Sequence, residues 1–425
     1  MRDMENNILS YQFFVPLKKA FKAVSSKRAC PSYSDEDHIF SGVNRVLSDH
    51  KSGRAWIQSF QFVWKVMVSV DCFFKALRSK RRCELVQELN DELIDQNAST
   101  LLKDNPFADI KELSKYAIYA TDGHYLEHSV HEDPVEGKKR ATSHIFSINL
   151  QTNLMSHIDL CVPEPGKAKK HEITALKALS KKALRMNQPK GTKVIHAYDA
   201  AIVDYRFWLE LKNAGIYIIT VEKENSAFTV MGELEYDRDD PRNAGVLADQ
   251  YIGTSNGAML RRIAYRDPVT GKMYKFVTSI TDPNIPPGVI AFIYKCRWKI
   301  EKVFDQNKNK LGERKSWGKS RETKLQHANF ICLAHNLCIL FEKRIESENG
   351  IVDRKAYAKQ EVRKKRDQRR AEESGRKANA LVMDHRVVTQ RSCQFIRWLR
   401  LCIDHPTSWV EAIELLRPHM AKYMA

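Results

Sequence analysis

The chain has 425 residues, 43% of them hydrophobic, enough for one large or two to three ordinary domains with sizeable cores. Its 70 Lys and Arg against 52 Asp and Glu leave a formal charge of +18, which favours polyanionic partners, nucleic acid first and an anionic membrane surface second. The nine cysteines include no C-x-x-C pair, which argues against a thiolate zinc site, and their odd number points to a reducing compartment.

The first residues, "MRDMENNILSYQ", lack the apolar run of a signal peptide. The most apolar segment, Trp56 to Leu77, is interrupted by Gln61, Lys65 and Asp71 and is too broken to span a bilayer. A cytoplasmic protein is expected. Residues 1 to about 110 read as helical, and Trp56, Phe60, Val63, Met67, Val70 and Phe74 recur at helical spacing. That segment ends in "RSKRR", Arg78 to Arg82. The cluster reads equally as a phosphate grip and as a solvated helix end whose cations suit the C-terminal dipole.

From about residue 115 the period changes. "KYAIYATD" alternates and reads as a strand ending at Asp122. After the loop "VEGKKRAT" come "SHIFSINL" (143–150) and "MSHIDLCV" (155–162), a second and third strand. A basic helical stretch, "KKHEITALKALSKKALRM", precedes "TKVIHAYD", a fourth strand stopping at Asp199. The helix "IVDYRFWLELKNAG" then leads to "IYIITV", a fifth strand. Three antiparallel strands followed by strand–helix–strand describe an α/β sheet of the ribonuclease-H type.

Residues 222 to 283 read as a β-rich insertion, with a hairpin in "AYRDPVTGKMYKFVTSI" turning at Pro268 to Gly271. "IPPGV" opens a helix, since proline suits a first turn. A long helix is expected from about Glu322 to Ile345. Cys332, His335 and Cys338 on it read as buried helix residues rather than a metal site. The charged run 353–380 reads as a linker or a DNA-contacting arm, and the last thirty residues as a small helical cap or dimer element. The expected division is a helical region at 1–110, a catalytic domain at 111–350 and a basic linker with a helical tail at 351–425.

The helix that begins at "IPPGV" carries the chemistry. On a single helix Tyr294, Arg297, Glu301 and Lys308 fall close to one line, bordered by Phe304 and Asp305. An Arg297–Glu301 ion pair explains two of the four. Tyr294 and Lys308 on the same stripe call for a site. Asp122 and Asp199, at neighbouring strand ends, can meet Glu301 from a helix packed across that edge. Three such carboxylates suit two Mg²⁺ ions, which prefer oxygen ligands and leave room for phosphate and water. Two metals can activate one oxygen and stabilise another in phosphoryl transfer. Arg297 and Lys308 then hold phosphates, and Tyr294 bonds one through its hydroxyl. Asp204, Glu210 and Asp305 are competing acids. Asp204 is expected inside the following helix, away from the strand tip.

The pattern Tyr294–x2–Arg297–x3–Glu301–x6–Lys308 resembles the signature of bacterial insertion-sequence transposases with a DDE active site. "YATDGH" and "HAYDAAIVDYRFW" are similar to that family's first and second Asp motifs, and "RWKIEKVF" and "HANFICLAHNL" fit it too. The resemblance covers residues 112 to 345. It implies that Asp122, Asp199 and Glu301 bind two Mg²⁺ ions, with Mn²⁺ able to substitute. It also implies cleavage at the terminal inverted repeats of a mobile element and joining of the freed 3′ ends to target DNA. It implies double-stranded DNA as partner, a homodimer in the synaptic complex, no membrane, and a bacterial, nucleoid-associated protein. Trp298 is a candidate to stack on an unpaired base, against a packing role. His124 and His196, near the two Asp positions, are read as structural. A nuclease or resolvase on the same fold, and a non-catalytic DNA-binding relative, are the alternatives.

Overall fold

A computed structural model describes residues 8–30, 32–50, 52–64, 68–129, 141–161, 171–311, 315–351, 354–381, 393–405 and 407–421. Helices come first: α1 (Leu9–Ala23), α2 (Asp35–Leu47), α3 (Gly53–Trp64), α4 (Val70–Ala76) and α5 (Lys80–Leu101). The single apolar helix expected over 56–77 is two helices, and residues 65–67 between them lie outside the described residues. Local capping explains several starts. Ser34 accepts the Asp37 N–H at the head of α2, whose first turn is acidic, and Ser79 accepts the Arg82 N–H at the head of α5.

That last contact corrects the reading of "RSKRR". The cluster opens α5 rather than closing a helix. Arg81 and Arg82 converge on Asp35, at 2.7 and 3.1 Å, and the Asp35 side chain is only 1% exposed. Arg82 also donates to the Tyr33 carbonyl at 2.7 Å. These two cations tie α5 to α2.

The sheet begins with β1 (Tyr116–Glu127), β2 (Ala141–Asn149) and β3 (Met155–Cys161). The expected loop at 135–140, the strand end at Val162, and Lys169 and Lys170 lie outside the described residues. The basic helical stretch is two short helices, α6 (Glu172–Lys177) and α7 (Lys181–Leu184). Then come β4 (Lys193–Ala197), α8 (Tyr205–Asn213) and β5 (Ile216–Val221). Asp204 is the N-cap of α8 and accepts the Phe207 N–H at 2.9 Å, so it sits just outside that helix rather than within it.

The insertion supplies β6 (Thr229–Glu233), β7 (Val246–Gly253), β8 (Met259–Arg266) and β9 (Met273–Thr278). It is not a separate layer. All nine strands form one sheet in the order β3-β2-β1-β4-β5-β9-β8-β7-β6. β1 pairs antiparallel with β2 and parallel with β4, and β4 is parallel to β5. The β8–β9 turn lies where the sequence places it. Asp267 accepts N–H bonds from Val269 and Thr270, and Gly271 takes the positive φ of 73° that the turn requires.

Helices α9 (Pro287–Cys296), α10 (Trp298–Lys310) and α11 (Arg321–Asn349) follow, with Pro287 in the first turn of α9 and Gly350 closing α11 at φ 62°. The last helices are α12 (Arg354–Glu373), α13 (Cys393–Asp404) and α14 (Trp409–Ala421). Apolar residues of β1, β2 and β4 such as Ile118, Ala120 and Ile195 pack with Ile293, Ile300 and Phe304 of α9 and α10 on one face of the sheet. Ala117, Tyr119 and Val194 meet Leu176, Trp208 and Leu211 on the other. A third core joins α1–α5 and α13–α14 around α11. Phe330 of α11 fills the space above Gly42 of α2, where a Cβ would come within 2.2 Å of the ring. Among the described residues no helix is long and apolar enough to cross a membrane.

Candidate active site

The parallel β1–β4 ladder sets two carboxylates level. Its last rung pairs Ala120 with Ala197, and Asp122 and Asp199 each follow two residues later. Asp199 lies just past β4, where its Oδ1 accepts the Ala201 N–H at 2.8 Å. Asp122 does not end its strand, as the sequence suggests; β1 continues to Glu127 because residues 123–127 pair with β2. The Asp122 Oδ1 accepts the Gly123 N–H at 2.9 Å.

The helix carrying the Tyr–Arg–Glu–Lys stripe is broken at Arg297. The Arg297 N–H bonds to the Tyr294 carbonyl at 3.0 Å and the Ile300 N–H to the Arg297 carbonyl at 3.0 Å, three-residue bonds that tighten the turn between α9 and α10. The guanidinium points inward and is buried. Nη1 donates to Asp122 Oδ2 at 3.0 Å and Nη2 to Glu301 Oε1 at 2.7 Å. One planar fork thus links the strand carboxylate to the helix carboxylate. The Tyr294 ring lies 5.6 Å from this guanidinium, and the Trp298 ring 5.4 Å from it.

The electrostatics follow from that crowding. Burial pushes the Asp122 carboxyl up, Arg297 pulls it down and Asp199 pushes it up again, leaving it at about 6. Burial raises the Tyr294 hydroxyl, and Arg297 partly offsets this. For Arg297 itself, burial works against the charged form, but Tyr294, Asp122 and Glu301 outweigh it.

Two histidines hold the frame. His196 is fully buried; its Nε2 donates to the Leu184 carbonyl at 2.8 Å, so its Nδ1 accepts from the Thr121 hydroxyl at 2.9 Å. Burial pushes His196 down to about 4, which keeps the ring neutral. His124 stacks on Phe304 with centroids 4.4 Å apart, which seats α10 on β1 two residues past Asp122.

The structure therefore gathers Tyr294, Arg297 and Glu301 around Asp122, with Asp199 within electrostatic reach. Trp298 is 55% exposed and is not a core residue. Lys308 is exposed, about 10 Å of helix rise beyond Glu301. Sequence reasoning missed Glu172, at the head of α6. Its carboxylate fills the place a Cβ on Gly123 would take, 1.7 Å from that point, and accepts a bond from Ser143 Oγ at 3.3 Å. Burial and Asp199 raise it. A lone acid in a basic stretch gives no sequence signal.

Oxygen donors from one strand, one loop and one helix are the donor chemistry of a hard divalent cation. As placed, no three His, Cys, Asp or Glu side chains among the described residues stand together closely enough to hold a metal. Arg297 supplies the positive charge between Asp122 and Glu301 instead.

Residues 115–337, just over half of the chain, match the family described as Transposase DDE domain. No curated relative matches the sequence. Among solved structures, one of a piggyBac transposase synaptic complex with hairpin DNA aligns with a TM-score of 0.39 and 11% identity, covering 100% of this chain and 83% of that one.

Proposed function

Because the chain belongs to the Transposase DDE domain family, we propose that it cuts the terminal inverted repeats of a bacterial insertion sequence and joins the freed 3′ ends to target DNA. The observation that carries this reading is the Arg297 fork. It joins a carboxylate at the centre of the sheet to one on the helix crossing it, within the matched residues. Asp199, just past the next strand and level with Asp122, is the third acid. The strand order β3-β2-β1-β4-β5, with the first three antiparallel, supports a ribonuclease-H-like core.

In this reading Asp122, Asp199 and Glu301, once drawn closer than they stand around Arg297, would hold two Mg²⁺ ions, or Mn²⁺ in their place. Bound there, the ions supply activation of the attacking oxygen and neutralisation of the charge that builds on the phosphate. Burial, and after it the nearby Asp199, raise the Asp122 carboxyl, and a bound cation would offset both. Arg297 balances the charges of Asp122 and Glu301 and would offer a fork arm to a phosphate. The Tyr294 ring, 5.6 Å away, steadies the guanidinium. Trp298, exposed beside it, offers a ring to an unstacked base, and Lys308 a cation to the backbone further along α10. The helical region 1–110 holds the element end, residues 111–350 are the catalytic domain and 351–425 a basic and helical tail. Two copies act together in the nucleoid, one per end.

The test is incubation of the full chain with a labelled terminal-repeat duplex in Mg²⁺ and in Ca²⁺. Nicked, hairpinned or joined products in Mg²⁺ and none in Ca²⁺ support the reading. Cleavage of branched DNA without regard to the repeats supports a resolvase instead, and binding without cleavage a silent relative.

A further inference from the structure

Helix α12 lies beyond the residues matched to the family, and its charge is sorted by face. Nine of its 20 residues are basic and four acidic. Gln360, Lys364, Asp367 and Ala371 form its inward line, the first three half-buried and the last buried. On one flank Lys359, Arg363, Arg366 and Arg370 recur at i, i+4, i+7 and i+11, all exposed. The other flank carries Glu361, Lys365, Gln368 and Glu372. A merely solvated helix has no reason to collect one sign along one flank. At 1.5 Å per residue the basic stripe is about 16 Å long, the span of several phosphates along a duplex.

The helix is also anchored. Just past its end, Arg376 donates to the Pro268 carbonyl at 2.8 Å, and Asn379 to the carbonyls of Arg242 and Ala244 at 2.7 and 3.2 Å. Leu381 packs against the core beneath α9 and α10. These contacts fix the far end on the insertion. Arg363 comes within electrostatic reach of Lys302, the neighbour of Glu301 on α10. Asp367 bonds Arg366 at 3.1 Å and lies 3.7 Å from Arg363, while Lys359 and Arg370 stand further along the same flank. Like charges held together beside the candidate site are costly unless a polyanion covers them.

We propose that the Lys359–Arg363–Arg366–Arg370 flank of α12 is a rail for the phosphate backbone of the duplex whose strand is held at Asp122, Asp199 and Glu301. This rests on the transposase reading and adds to it a contact surface outside the family domain. The rail reads no sequence; it sets the angle at which the duplex leaves the site.

The test uses the full chain and a fluorescein-labelled 30-base-pair duplex of random sequence, titrated between 50 and 300 mM KCl. The variants are K359Q/R363Q/R366Q/R370Q and, as control on the same helix, K365Q/R369Q. Each phosphate contact contributes about 0.9 to the slope of log affinity against log salt. The stripe variant is expected to flatten the slope by about 3 to 4, and the control by well under 1. A control loss half that of the stripe, as general removal of charge would give, overturns the rail. If the wild-type chain still cleaves terminal repeats in that case, the transposase reading stands without it. No duplex binding by the wild-type chain overturns both. Unchanged circular dichroism in both variants confirms that the helix is intact.

Discussion

Replacing Arg297 with methionine probes the centre of the account. The Arg297 side chain is 6% exposed, that of Asp122 17% and that of Glu301 36%. Removing one member of a buried ion pair costs about 3–5 kcal/mol, because the other charge is left uncompensated. The outer bond, to Glu301, adds no more than about 1 kcal/mol, as exposed pairs do. Asp122 can escape part of the penalty by taking up a proton. Its folded value of about 6 already lies above the ordinary carboxylate value, so its charge costs stability as pH rises through 6, and loss of Arg297 moves that range higher. At pH 5 the carboxyl is mostly neutral in both proteins and the fork has little charge to hold. Arg297→Met is therefore expected to destabilise by about 3 kcal/mol at pH 7 and by about 1.5–2 kcal/mol at pH 5, since one carboxyl titrating at about 6 can account for no more than about 1.4 kcal/mol between the two. The assay is guanidinium unfolding followed by tryptophan fluorescence, in EDTA, at both pH values. A loss equal at the two pH values, or below about 0.5 kcal/mol at pH 7, refutes the ion-pair argument.

Asp35→Ala is expected to cost about 3–5 kcal/mol, because it strands Arg81 and Arg82 together where α5 meets α2; a melting temperature within 1 °C of wild type would contradict this. Four buried histidines sit far below their ordinary value through burial: His38 and His327 at about 3, His157 and His196 at about 4. A depressed histidine stabilises above pH 6.5 and loses that contribution as pH falls toward its folded value, so stability should decline from pH 6.5 to 4. His196→Gln should remove about 3 kcal/mol of that pH-dependent part, and an unchanged pH profile would show that His196 titrates normally.

The core strands were legible because their chemistry is local. "IYIITV" and "SHIFSINL" are short Ile-rich runs bounded by turn residues, "AG" before the first and "QTN" after the second. The continuation of β1 past Asp122 was not, since "GHYLE" has no alternation of its own and takes its strand conformation from β2. The break at Arg297 escaped because its backbone stays in the helical region, φ −52° and ψ −36°, and only the hydrogen-bond spacing changes. The "RSKRR" cluster could not be read from charge alone, because its partner is Asp35, more than forty residues upstream. The same holds for the site. The stripe pointed to Arg297 and Glu301, but that Arg297 would stand between Glu301 and Asp122 depends on two elements 175 residues apart. Glu172 reaches the neighbourhood only because residue 123 has no side chain.

The most direct measurement is single-turnover cleavage of a terminal-repeat duplex in Mg²⁺ by Asp122→Ala, Asp199→Ala and Glu301→Ala, with duplex binding followed in parallel. The account predicts that each variant binds as wild type does and cleaves at least a hundredfold more slowly, about 3 kcal/mol in the barrier. Full cleavage by any one of the three would contradict the claim that these carboxylates form one strand-cutting centre.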